Sequence, residues 1–310
     1  MSYVFGPVPS RRLGRSLGVD LISPKTCSFD CLYCQVGRTT RKTVDTECFV
    51  PLAEIAAEIK DKLLRSAPDT VTLAGSGEPT LYSHIDGVID CIKGLTDIRV
   101  ALLTNGSLFW REEIRRRVLH ADLILPTLST AFETTFQWIH RPHPALVLSR
   151  IVEGLKALRR EYDGLFFLEV VLLAGINDNE RELEGLKRLL AVIAPDKIQL
   201  NTVVRPPADR RAVSLDKKRL EEIKVFFGKG TEIVAETAAG EGKAGKDSAA
   251  REFLDMVERR PLTAMDASKA LGLSMGEVDD LLHALLIKGR IRRLEQSGKT
   301  YYLSDGKDVA

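Results

Sequence analysis

The sequence predicts an α/β chain, a partial (β/α)6 barrel open on one side, followed by a small module of helices and a hairpin. Two observations carry this. Over the first 236 residues, six strand-like apolar runs alternate with amphipathic runs whose apolar residues recur at spacings of three and four. That alternation is the pattern of a parallel sheet with helical crossovers. From 237 to 248 the residues turn small and polar without periodicity, which reads as a flexible linker, and helical runs with a hairpin occupy 249–304.

The segment 5–16 combines Gly6, Pro7, Pro9 and Gly14 with Arg11, Arg12 and Arg15. Glycine and proline at this density point to turns and extended chain. The arginines suit bidentate binding of a carboxylate or phosphate, or else a solvated basic arm. Strands are then expected at 18–22, 70–74, 99–104, 123–128, 166–173 and 197–203, with a last short one at 231–234. Helices are expected at 51–66, 83–95, 111–119, 145–162, 178–194 and 216–227. Six units are too few to close an eight-stranded barrel. Such architectures carry their chemistry on loops at the carboxyl ends of the strands.

Bulk properties narrow the function classes. A formal net charge of +2, from 45 basic and 43 acidic residues, points neither to nucleic acid nor to a membrane surface. No apolar run approaches the ~20 residues of a spanning helix, and the N-terminal residues lack a signal-peptide core. A soluble cytoplasmic protein with reduced thiols is expected.

Thr26-Cys27-Ser28-Phe29-Asp30-Cys31-Leu32-Tyr33-Cys34 places three of the five cysteines in a C-x3-C-x2-C loop after the first parallel strand. A structural zinc site needs a fourth ligand, and the first histidine is His84. A disulfide framework belongs to small secreted domains. Packed thiols are the bland alternative. Three thiolates on one loop can instead hold three corners of a cubane iron–sulfur cluster and leave the fourth iron open. Cys48 and Cys91 are isolated and read as packed thiols.

The cysteine spacing, with Tyr33 before the last cysteine, resembles the radical S-adenosylmethionine enzymes. The later strand ends extend the resemblance. Gly75-Ser76-Gly77-Glu78-Pro79 resembles the family's Gly-Gly-Glu-Pro cradle in its Gly77-Glu78-Pro79 half, with Ser76 intervening. Thr104-Asn105-Gly106, Ser129 and the Gly175-Ile176-Asn177-Asp178 turn match family positions near the cofactor. The resemblance implies a [4Fe–4S] cluster on Cys27, Cys31 and Cys34. It also implies S-adenosyl-L-methionine held near Tyr33, Gly75, Gly77, Glu78, Pro79, Asn105, Ser129 and Asn177. Reductive cleavage would give methionine and a 5′-deoxyadenosyl radical that abstracts a substrate hydrogen, an oxidoreductase chemistry fed by a flavodoxin- or ferredoxin-type donor.

The loop Trp138-Ile139-His140-Arg141-Pro142-His143-Pro144 resembles the Arg-Pro loop of wyosine-forming relatives. His140, Arg141 and His143 there could move protons or bind an anion, or simply lie at a helix entry. Glu169 interrupts an apolar strand, so it faces the lumen or is paired. Gln199, Asn201 and Arg205 are expected to face the lumen.

The C-terminal elements resemble a winged helix. Its third helix opens with Glu277, Asp279 and Asp280, the wrong sign for reading DNA, although Arg290, Arg292, Arg293 and Lys299 could touch a phosphate backbone. A module that contacts protein or peptide, or caps the open barrel, is favoured over one that binds nucleic acid. The substrate stays open between a small molecule, a peptide and a transfer-RNA base, with no membrane partner. A different class is a redox-sensing, DNA-binding regulator. There Cys27→Ala would change DNA affinity, whereas in the enzyme it would abolish catalysis.

Overall fold

The computed structural model describes residues 2–234, 246–296 and 298–305. Val4–Ser10 (β1) and Gly14–Val19 (β2) pair antiparallel, with a register break between Phe5 and Val8. Proline is tolerated in a strand at a sheet edge, where its missing N–H costs no ladder bond, and β1 is such an edge. The turns and extended chain expected over 5–16 are thus an antiparallel hairpin. This moves the first parallel strand from 18–22 back to β2.

After β2 comes the cysteine loop, which holds a two-residue parallel pair, Thr26–Cys27 (β3) and Arg41–Lys42 (β4). The alternation then runs through Leu52–Arg65 (α1), Thr70–Leu73 (β5), Ile85–Leu95 (α2), Arg99–Thr104 (β6), Glu112–Val118 (α3) and Leu123–Pro126 (β7). Two helices follow, Glu133–His140 (α4) and Leu148–Glu161 (α5). Helix α4 was not expected, yet Phe136, Ile139 and His140 give it a buried side at spacings of three and four. Leu165–Leu172 (β8), Glu180–Ile193 (α6), Lys197–Thr202 (β9), Lys217–Phe227 (α7) and Thr231–Ile233 (β10) complete the series.

The strand order is β1-β2-β5-β6-β7-β8-β9-β10, and every neighbouring pair beyond β1–β2 is parallel. β1 and β10 are the two ends of that order, so the barrel is open. β5 and β7 are buried along their whole length, as strands covered on both faces are. Ile55 and Ile59 on α1, Val88 and Ile92 on α2, and Leu183 and Leu190 on α6 bury the helical stripes against the sheet. Each such side chain contributes about 1.5–3 kcal/mol.

Residues 237–245 of the expected linker lie outside the described residues, and 246–248 already belong to Lys246–Val257 (α8). Ala264–Leu271 (α9) and Met275–Ile287 (α10) follow. Both start at reciprocal capping boxes, Thr263 with Asp266 and Ser274 with Glu277. The antiparallel pair Ile291–Gln296 (β11) and Lys299–Ser304 (β12) closes the segment. Phe253, Val257, Leu262, Leu282 and Ile291 form a core that takes in Val8 of β1. The C-terminal segment therefore covers the edge strand that β1 would otherwise leave bare. Among the described residues no helix is long and apolar enough to cross a membrane.

Candidate active site

Two apolar side chains fix the cysteine loop. Leu32 is buried among Ile139, Val171, Leu173 and Ala212, and Phe29 packs edge-on against Phe136 with ring centres 5.5 Å apart. The loop backbone is tied to the end of α4. Asp30 N donates to His140 O at 2.9 Å, Leu32 N to Ile139 O at 2.9 Å, and His143 N to Ser28 O at 2.8 Å. Arg141 ends α4 in the left-handed conformation, φ 42°. It pairs with Asp209 and lies 3.7 Å from Asp30. His143 Nδ1 accepts from Ala145 N. The Arg-Pro loop thus braces the cysteine loop, and Arg141 and His143 are occupied in holding it.

With both ends pinned, Cys27, Cys31 and Cys34 all face one cavity of about 390 Å³. Burial, followed by the charge of Glu78, pushes the Cys27 thiol up to about 12. Burial and then the charges of Cys27 and Cys34 push Cys31 well above its ordinary value. Thiols that resist ionising in this way are stabilised as thiolates by a bound cation. Among the described residues no His, Cys, Asp or Glu group closes around a single metal ion. A cubane suits the set better, because its irons stand apart and each takes one thiolate.

His140 is buried beside Phe29, Phe136 and Tyr33. Its Nδ1 lies 3.3 Å from Cys31 Sγ and 3.4 Å from the Tyr33 hydroxyl. Burial brings its pKa down to about 3, so the ring is neutral near pH 7.

Across from the thiols, the Gly75-Ser76-Gly77 turn lines the cavity. Its glycines are needed for close approach. A Cβ on Gly77 would stand 1.9 Å from Thr26 O, and one on Gly75 would stand 2.3 Å from the Asp20 carboxyl carbon. Buried Asp20 accepts from both Ser76 N and Ser76 Oγ and is paired by Arg259 Nε at 3.3 Å. Lys25 N donates to Ser76 O at 2.7 Å. These bonds stitch the glycine turn to the cysteine loop.

Of the residues expected to meet a cofactor, Tyr33, Gly75 and Gly77 line this cavity. Glu78, Pro79, Asn105, Ser129 and Asn177 are not in its lining, and their bonds in this structure run to the protein. Glu78 accepts from Thr80 N, Thr80 Oγ1 and Thr104 Oγ1 through one oxygen and from Asn105 N through the other. Pro79 begins a buried 3-10 turn that Glu78 caps. The Asn105 amide donates to Ser28 Oγ at 2.8 Å and lies 3.6 Å from Cys27 Sγ. Ser129 Oγ accepts from Val171 N. Asn177 donates to Ser129 O and Val171 O and accepts from Leu173 N, while Asn179 caps α6. Gln199 turns away and donates to Glu232.

Several site residues lay outside the sequence reading's site set. Asp20 had no motif around it. Met256, Arg259 and Arg260 reach the cavity from the C-terminal segment, where the adjacent arginines after α8 were the only sequence signal. On the barrel side Glu169 is in the lumen and paired, its pair being Arg12. Burial raises its pKa, but Arg12 and bonds from Asn201 and Thr127 bring it below the ordinary carboxylate value.

The model of the radical SAM superfamily matches residues 21–186, which include the cysteine loop, the glycine turn and β5 to β8. A UPF0026 protein of Methanocaldococcus jannaschii is 32% identical over 99% of this chain and 97% of its own length. A protein of Brachyspira hyodysenteriae named GTPase Obg is 35% identical over 96% of this chain, which spans 45% of that protein's length. A radical SAM methyltransferase from Sphaerobacter thermophilus has the same fold at TM-score 0.55 and 16% identity, covering 70% of this chain and 65% of its own. With the thiol loop, the glycine turn and the open parallel sheet joined at one cavity, the chain belongs to the radical SAM superfamily and, within it, to the UPF0026 family.

Proposed function

We propose that Cys27, Cys31 and Cys34 hold a [4Fe–4S] cluster in this cavity, that S-adenosylmethionine binds beside it, and that a substrate bound there loses a hydrogen atom. The observation that carries the reading is the convergence of three thiols and the Gly75-Ser76-Gly77 turn on one cavity. When bound, these groups would supply one-electron cleavage of the sulfonium and a radical able to abstract hydrogen. The chain's own work is to bind, orient and exclude water. Gly75 and Gly77 let the turn close tightly on Asp20 and on Thr26 beside Cys27, and Tyr33 offers a ring to the cavity. Asn105 and His140 stand as polar neighbours of Cys27 and Cys31, where hydrogen bonds to sulfur set a cluster's potential.

The C-terminal helices and hairpin, which resemble a winged helix, are proposed to cap the open barrel. Their shared core with β1 and the reach of Met256, Arg259 and Arg260 into the cavity support that role. A transfer-RNA base would draw on the Arg-Pro loop, whose residues brace the cysteine loop, and on the basic hairpin. A small molecule is the favoured substrate, and a low-potential flavodoxin- or ferredoxin-type donor the expected partner. Anaerobic reconstitution followed by iron and sulfide analysis and electron paramagnetic resonance tests the assignment. A four-iron signal that changes on adding S-adenosylmethionine is expected. A signal retained in Cys31→Ala, or indifferent to S-adenosylmethionine, would overturn it.

A further inference from the structure

The cavity wall away from the cysteine loop carries more positive charge than the carboxylates beside it can balance. Arg11, Arg12, Arg205, Arg259 and Arg260 line it, and Glu169 is the acidic residue in the lining. Counting the carboxylates behind the wall adds two. Arg12 pairs with Glu169, Arg205 lies 3.8 Å from Asp266, and Arg259 lies 3.3 Å from Asp20. Arg11 bonds Asn201 at 3.4 Å and shares Glu169 and Asp266 with its neighbours at longer range. Among the described residues, five guanidiniums thus share three carboxylates.

The surplus sits where a reacting molecule would lie. Arg205 Nη1 donates to Gln35 Oε1 at 3.4 Å, and Gln35 follows Cys34 directly. Arg11 comes from the turn between β1 and β2, Arg205 from the loop after β9, and Arg260 from the end of α8. Three separate parts of the chain converge. Burial and mutual repulsion through Arg205 pull Arg11 and Arg260 down to about 9. Such crowding of like charge is costly and is relieved by an anion that accepts from several guanidiniums at once.

We infer that the cavity binds a substrate carrying an oxyanion, a phosphate or carboxylate, clasped between Arg11, Arg205 and Arg260. The C-terminal segment then supplies part of the substrate site. The inference rests on the proposed function only for what happens to the bound molecule.

Isothermal titration of the reconstituted full chain with inorganic phosphate, pyrophosphate and succinate tests it, with Arg11→Gln, Arg260→Gln and Arg260→Lys as variants. One probe class is expected to bind, more weakly at higher salt. The affinity should fall by about tenfold in each Gln variant and by less in the Lys variant, which keeps charge but loses the fork. S-adenosylmethionine affinity should stay unchanged. A preference for phosphate or pyrophosphate assigns a phosphorylated substrate, and a preference for succinate a carboxylate. No binding, or equal binding in variants that keep the wild-type melting temperature, overturns the inference. So does displacement of the probe by S-adenosylmethionine, which would put the guanidiniums on the cofactor's own carboxylate. Formation of 5′-deoxyadenosine, read separately, reports the enzymatic reading. Anion binding that persists without it would leave this site standing and that reading fallen.

Discussion

At the scale of single residues, the site separates groups that meet a ligand from groups that hold them in place. Glu78 has the hydrogen bonds of the second kind. It is buried and accepts from Thr80, Thr104 and Asn105. Removing it leaves those donors unpaired at the ends of β5 and β6. Glu78→Ala is expected to cost about 2–4 kcal/mol of stability, read as a fall in denaturation midpoint of the apoprotein. A loss of S-adenosylmethionine affinity with unchanged stability would show that it meets the cofactor directly. Asp209 is the second such residue. Bonds from Arg211 first, and from Arg141, hold its carboxyl well below the usual range. A depressed folded pKa gives stability that is complete above the unfolded value near 4 and disappears as pH falls through the folded one. Asp209→Asn is therefore expected to be destabilised by about 1–3 kcal/mol near pH 7. The difference from wild type should shrink as pH drops below 4, as chemical denaturation at a series of pH values would record. A difference independent of pH would contradict this.

At the scale of elements, the cysteine loop is positioned by α4 on one side and by the glycine turn on the other. Gly77→Ala would place a methyl 1.9 Å from Thr26 O, one residue before Cys27. Something must shift. The expected outcome is an apoprotein that stays folded but retains less iron after reconstitution, and unaltered iron content would contradict the tight approach. The parallel strands were legible in the sequence because β6 and β7 carry continuous apolar runs, β5 is a β-branched Thr-Val-Thr-Leu run, and their helices show clear stripes. β1 was not legible. Pro7 and Pro9 argue against a strand unless it lies at an edge, and edge position is a property of the whole sheet. The helix α4 was hidden by the Arg-Pro sequence at its end, although Phe136, Ile139 and His140 carried its period. The thiol motif was legible because its chemistry is local. Asn177 and Ser129 bond to neighbouring backbone here, and a polar residue at a strand end reads the same in sequence whether it meets a ligand or a neighbouring backbone.

At the scale of the whole molecule, a buried guanidinium ties the C-terminal segment to the barrel alongside the core it shares with β1. Arg259 pairs with Asp20, donates to Ser2 O and Asp255 O, and lies over the Phe5 ring at 4.4 Å. Asp20 in turn holds Ser76 in the glycine turn. No sequence pattern links Arg259 to Asp20, since the contact exists only after the segment packs on β1. Arg259→Met leaves Asp20 buried without its cation, at a cost of about 3–5 kcal/mol. It is expected to weaken S-adenosylmethionine binding through the glycine turn, and calorimetry with an unchanged affinity would show that the two parts are uncoupled.

The most direct test of the central claim is 5′-deoxyadenosine formation. The reconstituted, dithionite-reduced protein is given S-adenosylmethionine under anaerobic conditions and the products are separated by chromatography. Cysteine-dependent cleavage in this cavity predicts 5′-deoxyadenosine and methionine from the wild type and neither from Cys31→Ala. A fully loaded wild-type protein that forms no 5′-deoxyadenosine, or a Cys31→Ala variant that still forms it, would contradict that account.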